Sequence, residues 1–325
     1  MTMRYIISEN TDAYFNLASE EYLLKHTEED IFYLWRNDNA IIVGKNQNAL
    51  SEINADYVRE KDIKVVRRLT GGGAVYHDLG NINYTFIENS KKNFNDFRGF
   101  CEPITVALNE LGVQAEFSGR NDMTIEGKKF SGTAQCKHKE RVMHHGTLLF
   151  SSVKADISGA LKPRDIKFSD KSVKSVASRI TNISEHLQEK MDVIEFRNRI
   201  MVSVAGGEKE VTTFSEEEVL AIQRLRDEKY SKWEWNFGQS PRFSMSKEGR
   251  FPGGTLEVTL EVQKGIIEKI RIYGDFFGTR DVSELEAILE GVQHNEESMA
   301  RALEGTEISE YMVNITKDDL LSLMI

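Results

Sequence analysis

Three consecutive glycines, Gly71–Gly73, lie between two apolar, β-branched runs, and this arrangement narrows the folds open to the chain. The stretch reads RRLTGGGAVYHDLGNINYTF and runs from Arg67 to Phe86. Glycine loses more conformational freedom on folding than other residues, so three in a row indicate a place where bare backbone is required. The flanking runs KVVRRL and NINYTFI are typical of strands. The sequence therefore predicts a glycine loop that connects one strand to another.

Two common nucleotide-binding loops do not fit this stretch. A Walker phosphate loop needs GxxxxGK[ST], and no Lys-Ser or Lys-Thr follows these glycines. A dinucleotide fingerprint needs a glycine where the chain has Tyr76, and a helix where a strand is predicted. Two interpretations remain. One is a loop whose amide groups line an anion or carbonyl, aided by Arg67 and Arg68, and the other is a tight turn without a ligand.

The composition argues against several kinds of partner. The chain has 325 residues, 40% hydrophobic and 29% charged, which is typical of a globular protein long enough for a large domain and a smaller one. The net charge of −10 disfavours nucleic acid. No run reaches transmembrane length, the amino terminus lacks a signal-peptide core, and Cys101 and Cys136 suggest neither a disulfide framework nor a zinc site. We expect a cytoplasmic protein without a membrane or nucleic-acid partner.

The predicted strands cluster in adjacent runs, which indicates an α+β fold. A helix with one apolar face and an Asp12 cap follows the first strand. Residues 113–151 read as four consecutive strands with a tight turn at Glu126–Gly127, and the helix before them, over residues 97–112, is expected to be interrupted near Pro103. Because strands cluster rather than alternate with helices, we expect a large mixed or antiparallel sheet.

The character of the sequence changes near residue 246, which predicts two domains. The alternating runs GTLEVTLEVQ and IIEKIRIYGDF flank Lys264–Gly265, a good signal for a hairpin, and short helices follow. We therefore place a large domain at residues 1–245 and a small α+β domain at residues 246–325.

The glycine-rich stretch resembles the signature of lipoate–protein ligases, whose superfamily also contains biotin–protein ligases and octanoyl transferases. Other segments resemble the same family in the same order: FNLASEEYLL, LWRNDNAIIVGKNQN, SGRNDMTIEGKKFSGTAQ, HHGTLLF, SVASRITNI and WEWNFGQSP. Together they span about residues 14–241, and the C-terminal region resembles the accessory domain of two-domain bacterial members. The resemblance implies the fold of the biotin and lipoate protein ligases, with residues 1–245 as the adenylating, lipoate-binding domain.

The resemblance implies a reaction in two steps. Free lipoate and ATP give lipoyl-AMP and pyrophosphate, and the acyl group then passes to a lysine of an acceptor protein. The implied acceptors are lipoyl domains of 2-oxoacid dehydrogenase E2 subunits and the glycine cleavage H protein. Mg²⁺ is expected because the departing pyrophosphate needs charge neutralisation. An apolar slot for the acyl chain would also accept octanoate.

Lys129 is the residue that the resemblance places at the centre of this reaction. It stands in the family's [KR]xSG motif, where a lysine contacts both the lipoyl carbonyl and the AMP phosphate. Because neighbouring residues of a strand point to opposite faces, Lys128 should point away from the site. By the same alternation we expect Phe130 to point away and Ser131 to share the face of Lys129. The alternative is that both lysines are solvated hairpin residues.

The resemblance also implies the other binding residues. Besides Lys129, the implied contacts to ATP are Arg68, Gly73, Ala74, Val75, Tyr76, Asp122 and Arg179. Besides Lys129, the implied contacts to lipoate are Gly72, Gly73, Asn83, His145 and Gly146. Asp122 is a candidate to orient Lys129 or to hold Mg²⁺, and a turn cap is the alternative. Asn83 is alternatively a strand-end cap and Arg179 a surface residue. His77 is interpreted as a structural hydrogen-bonding residue.

Histidine and cysteine residues suggest rival chemistries. His144 and His145 would project to opposite faces of a strand, which argues against a shared zinc ion. Cys136 is a candidate nucleophile for an octanoyl transferase or amidotransferase that works without ATP, and the cationic turn KHKE beside it is expected to lower its pKa. A non-catalytic relative that binds lipoate is a further alternative. Biotin transfer is disfavoured because a GRGR-type motif is absent.

Overall fold

The computed structural model describes residues 3–47, 49–89, 94, 96–119, 121–161, 179–239, 243–274, 276 and 278–325. Contacts divide the chain into two compact units, Met1–Asn236 and Phe237–Ile325. The strand Phe243–Phe251 belongs to the second unit and spans the boundary predicted at residue 245. The division between the units therefore precedes the predicted one.

The first unit is built on a mixed sheet of eight strands. The described strands of the whole unit, in chain order, are β1 (Met3–Ile7), β2 (Asp30–Trp35), β3 (Ala40–Val43), β4 (Lys64–Arg67), β5 (Val75–His77), β6 (Asn81–Asn89), β7 (Ala115–Ser118), β8 (Asp122–Ile125), β9 (Lys128–His138), β10 (Arg141–Leu149) and β11 (Val211–Thr212). The large sheet has the order β11-β1-β2-β6-β10-β9-β8-β7. Its first three strands are parallel and the later pairs antiparallel. The predicted α+β class is confirmed.

A second sheet, of three strands, carries the glycine loop. Its order is β4-β3-β5, with β4 parallel and β5 antiparallel to β3. The loop of residues 68–74 joins β4 to β5, so the prediction of a strand-to-strand connection is confirmed. Strands β2 and β3 follow each other along the chain but lie in different sheets.

Helices cover both faces of the large sheet. The described helices of the first unit are α1 (Ala13–His26), α2 (Ala49–Glu52), α3 (Ala55–Glu60), α4 (Phe97–Glu110), α5 (Lys154–Ala160), α6 (Val193–Ala205), α7 (Glu216–Leu225) and α8 (Trp233–Asn236), with a 3-10 turn at Ile183–Glu185 and a π turn at Arg226–Tyr230. One hydrophobic core lies between the sheet and α4 and α6, and another contains residues of α1. Within the described ranges, no helix has the length and apolar character needed to cross a membrane.

Helix α1 begins where its sequence predicts but is more completely buried. Asp12 caps its first turn. A single apolar face was expected, yet the polar side chains of Asn16, Ser19, Glu20 and Glu21 are buried as well. Buried polar groups ordinarily have hydrogen-bond partners inside the protein. Helix α1 therefore brings polar chemistry into the interior of the first unit.

Helix α4 runs through Pro103 without a break, so the predicted interruption is wrong. Proline removes one backbone donor and crowds the carbonyl group four residues earlier, here that of Gly99. The helix continues because both of its halves are anchored in the core, by Phe100 before the proline and by Ile104 and Leu108 after it. Tertiary packing outweighs the local preference of proline here.

The second unit consists of one antiparallel sheet and short helices. Its elements are β12 (Phe243–Phe251), β13 (Gly254–Gln263), β14 (Ile266–Gly274), α9 (Ser283–Leu289), α10 (Glu296–Ala302), α11 (Ile308–Tyr311) and α12 (Lys317–Ser322). The predicted hairpin joins β13 to β14, with Lys264 at φ 51° and Gly265 at φ 73°. Residues of the strands and helices share one hydrophobic core. The predicted small α+β region is confirmed.

Candidate active site

A cavity of the first unit is lined by the glycine loop, by strands β9 and β10 and by helix α1. It has about 620 Å³ of empty space, part of it open to solvent. Its walls are formed by Leu17, Trp35, Ile42, Arg68, Gly72, Gly73, Ala74, Val75, His77, Asn83, Asn121, Lys129, Gly132, Thr133, Ala134, His145, Gly146 and Thr147. The predicted site residues in this set are Arg68, Gly72, Gly73, Ala74, Val75, Asn83, Lys129, His145 and Gly146. Motifs that are far apart along the sequence thus meet at one cavity.

Lys129 lies on the cavity wall and forms an ion pair with Asp122. Its Nζ is 2.7 Å from Asp122 Oδ1, and the two side chains are 41% and 38% exposed. Lys128 pairs with Ile125, and directly paired residues of neighbouring strands point to the same face of a sheet. The side chain of Ile125 lies in the core, on the face opposite to that of Lys129. Lys128 therefore points away from the cavity, as the alternation predicts, while the ammonium group of Lys129 is accessible to a ligand.

A β-bulge at Phe130 changes the face of Ser131. Thr124 pairs with Lys129 and Met123 pairs with Ser131, so Phe130 has no opposite residue on β8. Met123 and Phe130 both lie in the core, and Ser131 is buried. The expectation that Ser131 shares the face of Lys129 is wrong, because the bulge shifts the alternation by one residue.

The glycine loop combines close backbone contacts with open space. A Cβ atom on Gly44 would lie 2.1 Å from the carbonyl oxygen of Gly72, and Gly72 itself has a φ of +96°. Only glycine avoids a clash at position 44 and backbone strain at position 72. Gly71 and Gly73 differ, because a Cβ atom on either would meet no atom of the described residues within 4 Å. Their backbone therefore borders space that a ligand can approach.

Arg68 holds the glycine loop from within. Its guanidinium donates hydrogen bonds to Thr70 Oγ1 (2.9 Å) and to the carbonyl oxygens of Ile42 (3.0 Å), Gly71 (2.7 Å) and Gly73 (2.8 Å). Burial lowers the pKa of Arg68 to about 10, so the group remains charged at neutral pH. These hydrogen bonds shape the backbone for which the resemblance implies nucleotide contacts.

Arg67 lies on the opposite side of the chain from Arg68 and is fully buried. It donates hydrogen bonds to the carbonyl oxygens of Gly44 (2.9 Å), Gln47 (2.7 Å), Trp235 (3.1 Å) and Asn236 (2.8 Å). The guanidinium thereby ties the segment before α2 to helix α8. This contact gives the WEWN segment a structural role in supporting the glycine loop.

A buried chain of hydrogen bonds links α1 to the glycine loop. Glu20 Oε1 accepts from Thr85 Oγ1 at 2.6 Å and lies 2.8 Å from His145 Nδ1. His145 Nε2 lies 2.7 Å from Thr70 Oγ1, which also accepts from Arg68. Glu20 is 1% exposed and was not among the predicted site residues. The cavity residue His145 is therefore coupled to the position of the glycine loop.

His144 points to the opposite face of β10 from His145, as strand alternation predicts. Its ring stacks on that of Phe100 with centroids 5.0 Å apart, and its Nδ1 lies 3.0 Å from Gln135 Nε2. Burial lowers the pKa of His144 to about 3. It is a neutral core residue and takes no part in the cavity.

Asn83 lines the cavity, whereas Tyr76 does not. The hydroxyl group of Tyr76 donates to Asn39 Oδ1 at 3.0 Å, and Tyr76 is not among the residues that line the cavity. Asn83 lines the cavity, is 2% exposed and accepts a hydrogen bond from Asn81 at 3.0 Å.

Arg179 is exposed and does not line the cavity. Two residues later, the backbone N–H of Thr181 donates to the carbonyl oxygen of Lys129 at 2.9 Å. The segment that begins at Arg179 therefore runs beside the central lysine. The first residues of the SVASRITNI segment, 175–178, lie outside the described residues.

Cys136 lacks the activation that a nucleophilic thiol needs. The neighbouring turn was expected to lower its pKa, but burial raises the pKa to about 12. Strand β9 continues to His138, so Cys136 lies within the sheet and packs against the core that contains residues of α1. Such a thiol is almost wholly protonated at neutral pH. The expectation of a thiolate at Cys136 is wrong.

Comparisons with known proteins identify the family. Residues 12–205 match the lipoyl protein ligase A/B catalytic domain, and residues 240–324 match the bacterial lipoate protein ligase C-terminus. This chain belongs to the lipoate–protein ligase family. The lipoate-protein ligase LplJ of Bacillus subtilis is 44% identical over 330 residues, covering 99% of this chain and 100% of that protein. Lipoate–protein ligase 1 of Staphylococcus aureus is 41% identical, covering 99% of this chain and 100% of its own length. The resemblance predicted from the motifs is confirmed.

Solved structures of lipoate–protein ligases share this fold. A bipartite ligase from Thermoplasma acidophilum superimposes with a TM-score of 0.63 at 29% identity, covering 73% of this chain and 96% of that one. Plasmodium falciparum LipL1, solved in complex with lipoate, gives 0.63 at 27% identity, with 94% and 95% covered. A lipoate-protein ligase A bound with ATP gives 0.62 at 26% identity, with 73% and 98% covered. The family thus includes members solved with either substrate.

Proposed function

We propose that this ligase activates the carboxylate of lipoate with ATP and transfers the acyl group to a protein lysine, with Lys129 as the central charge. The observation that carries the proposal is the accessible Lys129 ammonium on the wall of a cavity that is also bordered by the bare backbone of Gly73. A cation together with backbone amide groups suits the two anions of the reaction, a carboxylate and a phosphate.

In the first step, a carboxylate oxygen of lipoate forms a bond to the α-phosphorus of ATP while the bond to pyrophosphate breaks. Both reactants are anions, so the Lys129 ammonium lowers their repulsion and stabilises the charge that develops at phosphorus. Asp122 holds Nζ at 2.7 Å and so keeps the ammonium group oriented before the substrates bind. The step needs no proton acceptor.

Mg²⁺ bound with ATP would neutralise charge on the departing pyrophosphate. Across the described part of the chain, no cluster of three or more His, Cys, Asp or Glu side chains is placed to hold a metal ion. Mg²⁺ commonly binds through one or two carboxylates together with substrate phosphates and water. Asp122, which pairs with the cavity residue Lys129, fits this pattern as a single protein ligand.

The apolar wall formed by Leu17, Trp35 and Ile42 suits an acyl chain. Burial of each methylene group contributes about 0.8 kcal/mol. Octanoate offers the same carboxylate and a similar chain, so it is a second substrate in this proposal.

In the second step, the ε-amine of an acceptor lysine attacks the carbonyl carbon of lipoyl-AMP, AMP leaves, and the amine loses a proton. We place this lysine on lipoyl domains of 2-oxoacid dehydrogenase E2 subunits or on the glycine cleavage H protein. The Thermoplasma relative, which was studied with its E2 lipoyl domain, supports the first acceptor. The second acceptor and the cytoplasmic location stay predictions from the sequence.

Lipoate-dependent ATP–pyrophosphate exchange tests this function. We expect the purified protein to incorporate labelled pyrophosphate into ATP only when lipoate or octanoate is present. Cys136→Ser should retain full exchange, because a buried thiol with a pKa of about 12 takes no part. No exchange with either acid would refute the ligase function. Acylation of Cys136 by an octanoyl donor without ATP would instead establish the transferase, and lipoate binding without exchange would indicate a non-catalytic relative.

A further inference from the structure

His77 lies on the cavity wall, and one of its ring nitrogens lacks a hydrogen-bond partner among the described residues. Its side chain is 3% exposed, and Nε2 has no hydrogen-bond partner among the residues that the structure describes. Buried polar atoms in folded proteins are almost always paired. The structural hydrogen-bonding role expected for His77 explains the contact of its Nδ1 with Asn37, but it does not explain Nε2. Nε2 is therefore left for a partner that enters the cavity.

A chain of asparagine side chains fixes which nitrogen of His77 carries the hydrogen. Asn16 Nδ2 donates to the backbone carbonyl oxygens of Asn10 (2.8 Å) and Arg36 (2.9 Å), which sets the orientation of its amide. Asn37 Oδ1 lies 3.0 Å from the same nitrogen, whose two hydrogens are shared among the three oxygens. Asn37 therefore turns its oxygen toward Asn16 and presents its own Nδ2 to His77 Nδ1 at 3.1 Å. Nδ1 is therefore the acceptor, and the hydrogen is on Nε2.

The surroundings keep this imidazole neutral and fixed in place. Burial, together with repulsion from Arg68 and His145, lowers the pKa of His77 to about 3. The ring packs edge-on against Trp35, with centroids 6.2 Å apart. A neutral ring with Nδ1 engaged by Asn37 offers the cavity one oriented N–H donor and does not act as a base through Nε2.

We propose that His77 contacts the substrate and donates its Nε2–H to a lone pair of the bound adenylate or its precursors, with Asn37 as the positioning residue. Acceptors of this kind occur on both halves of the adenylate, as acyl oxygens and as oxygens and ring nitrogens of the nucleotide. A hydrogen bond from a neutral donor strengthens as charge develops on its acceptor, and it adds no second positive charge beside Lys129. The inference rests on the proposed adenylation at this cavity.

Two substitutions separate the roles of the two ring nitrogens. In His77→Asn the new amide reaches the position of Nδ1 and keeps a contact with Asn37, but the cavity loses its donor. In His77→Gln the amide nitrogen reaches the position of Nε2. We expect His77→Asn to lower kcat/KM of lipoate-dependent exchange about tenfold, and His77→Gln to retain most of it. Exchange by His77→Asn within about twofold of the wild type would overturn the proposal.

Binding measurements with each substrate alone identify the acceptor. Isothermal titration of His77→Asn with lipoate, and separately with ATP, should show a raised Kd for the substrate that carries the lone pair. If neither Kd changes while exchange falls, the contact forms with the adenylate itself. Either result supports a hydrogen bond from His77 to the substrate. A variant that had lost its fold would instead bind both lipoate and ATP more weakly and would have a lower Tm.

A spectroscopic measurement tests the tautomer without relying on activity. In protein labelled with ¹⁵N at histidine, two-bond correlation spectra show which ring nitrogen carries the hydrogen, and His77→Gln assigns the signal. We expect a neutral ring with the hydrogen on Nε2 at about pH 7. Asn37→Ala should produce a mixture of tautomers. A hydrogen on Nδ1 in the wild type would overturn the proposal, and since no substrate is present, this result is distinct from a failure of adenylation.

Discussion

At the scale of single residues, one extra residue in strand β9 decides which side chains reach the cavity with Lys129. The bulge at Phe130 turns Ser131 toward the core, so the serine of the motif does not face the ligand space. The motif identified Lys129 correctly as a cavity residue. Alternation alone could not reveal the bulge, because a bulge exists only relative to the pairing with β8.

Gly73→Ala should separate ligand binding from stability. The new Cβ meets no described atom within 4 Å and φ is not positive, so the free energy of unfolding should stay within about 1 kcal/mol of the wild type. The methyl group would occupy space proposed for the nucleotide and raise KM for ATP about tenfold or more. Exchange kinetics and thermal unfolding measure the two effects.

Gly44→Ala is the matched control for this prediction. Its Cβ would lie 2.1 Å from the carbonyl oxygen of Gly72, so this variant should have a lower Tm. An unchanged KM for ATP in Gly73→Ala would mean that the backbone at Gly73 does not approach the nucleotide.

At the scale of elements, helix α1 forms a wall of the cavity and is not an ordinary surface helix. Leu17 lines the cavity, Glu20 binds His145, and Asn16 begins the chain that orients His77. The Asp12 cap was predictable because it depends on neighbours along the chain. The burial of Asn16 and Glu20 was not, because it depends on strands that are distant in sequence. The signal in the sequence for this burial was that polar residues are interspersed with the apolar residues of α1.

Thr70 should be sensitive to loss of its hydroxyl group and tolerant of loss of its methyl group. Thr70→Val keeps the shape but leaves His145 Nε2 and Arg68 Nε without their oxygen partner, which should cost about 1–3 kcal/mol of stability. Because Arg68 then holds the glycine loop less firmly, KM for ATP should also rise. Thr70→Ser, which keeps the hydroxyl group, is the control. Equal behaviour of the two variants in urea unfolding and exchange would contradict the role of this hydrogen-bond chain.

At the scale of the whole molecule, the class of fold and the family were readable from the order of segments, whereas the assembly of the sheets was not. Consecutive strands gave the α+β class, and the Lys264–Gly265 hairpin marked the second unit. Neither the separation of β2 from β3 into different sheets nor the path of α4 through Pro103 has a local signal. Both depend on packing between distant segments, which outweighs local preference.

Stability of the first unit should decrease as the pH falls below about 6.5. Burial holds His77 and His144 neutral, with pKa values of about 3 against an ordinary 6.5. As the pH falls through 6.5 the unfolded chain binds protons that the folded state does not, so the stabilisation is complete above that pH and is lost progressively toward about pH 3. Each histidine contributes a slope of about 1 kcal/mol per pH unit. Urea unfolding at about pH 7 and about pH 5 measures this.

His144→Gln provides the comparison for the pH dependence. This variant lacks one of the two titrating groups, so the change in its free energy of unfolding between the two pH values should be smaller than that of the wild type. Identical pH dependence in the two proteins would show that His144 titrates normally in the folded state.

The most direct test of the central claim compares Lys129→Ala with Lys128→Ala in lipoate-dependent ATP–pyrophosphate exchange. The two lysines are adjacent, but only Lys129 reaches the cavity and pairs with Asp122. Lys129→Ala should lower exchange about 10²- to 10³-fold without a fall in Tm, because a charge that stabilises the transition state is lost. Lys128→Ala should retain most of the activity, because an exposed lysine on the other face contributes little. Equal losses in the two variants would contradict the account.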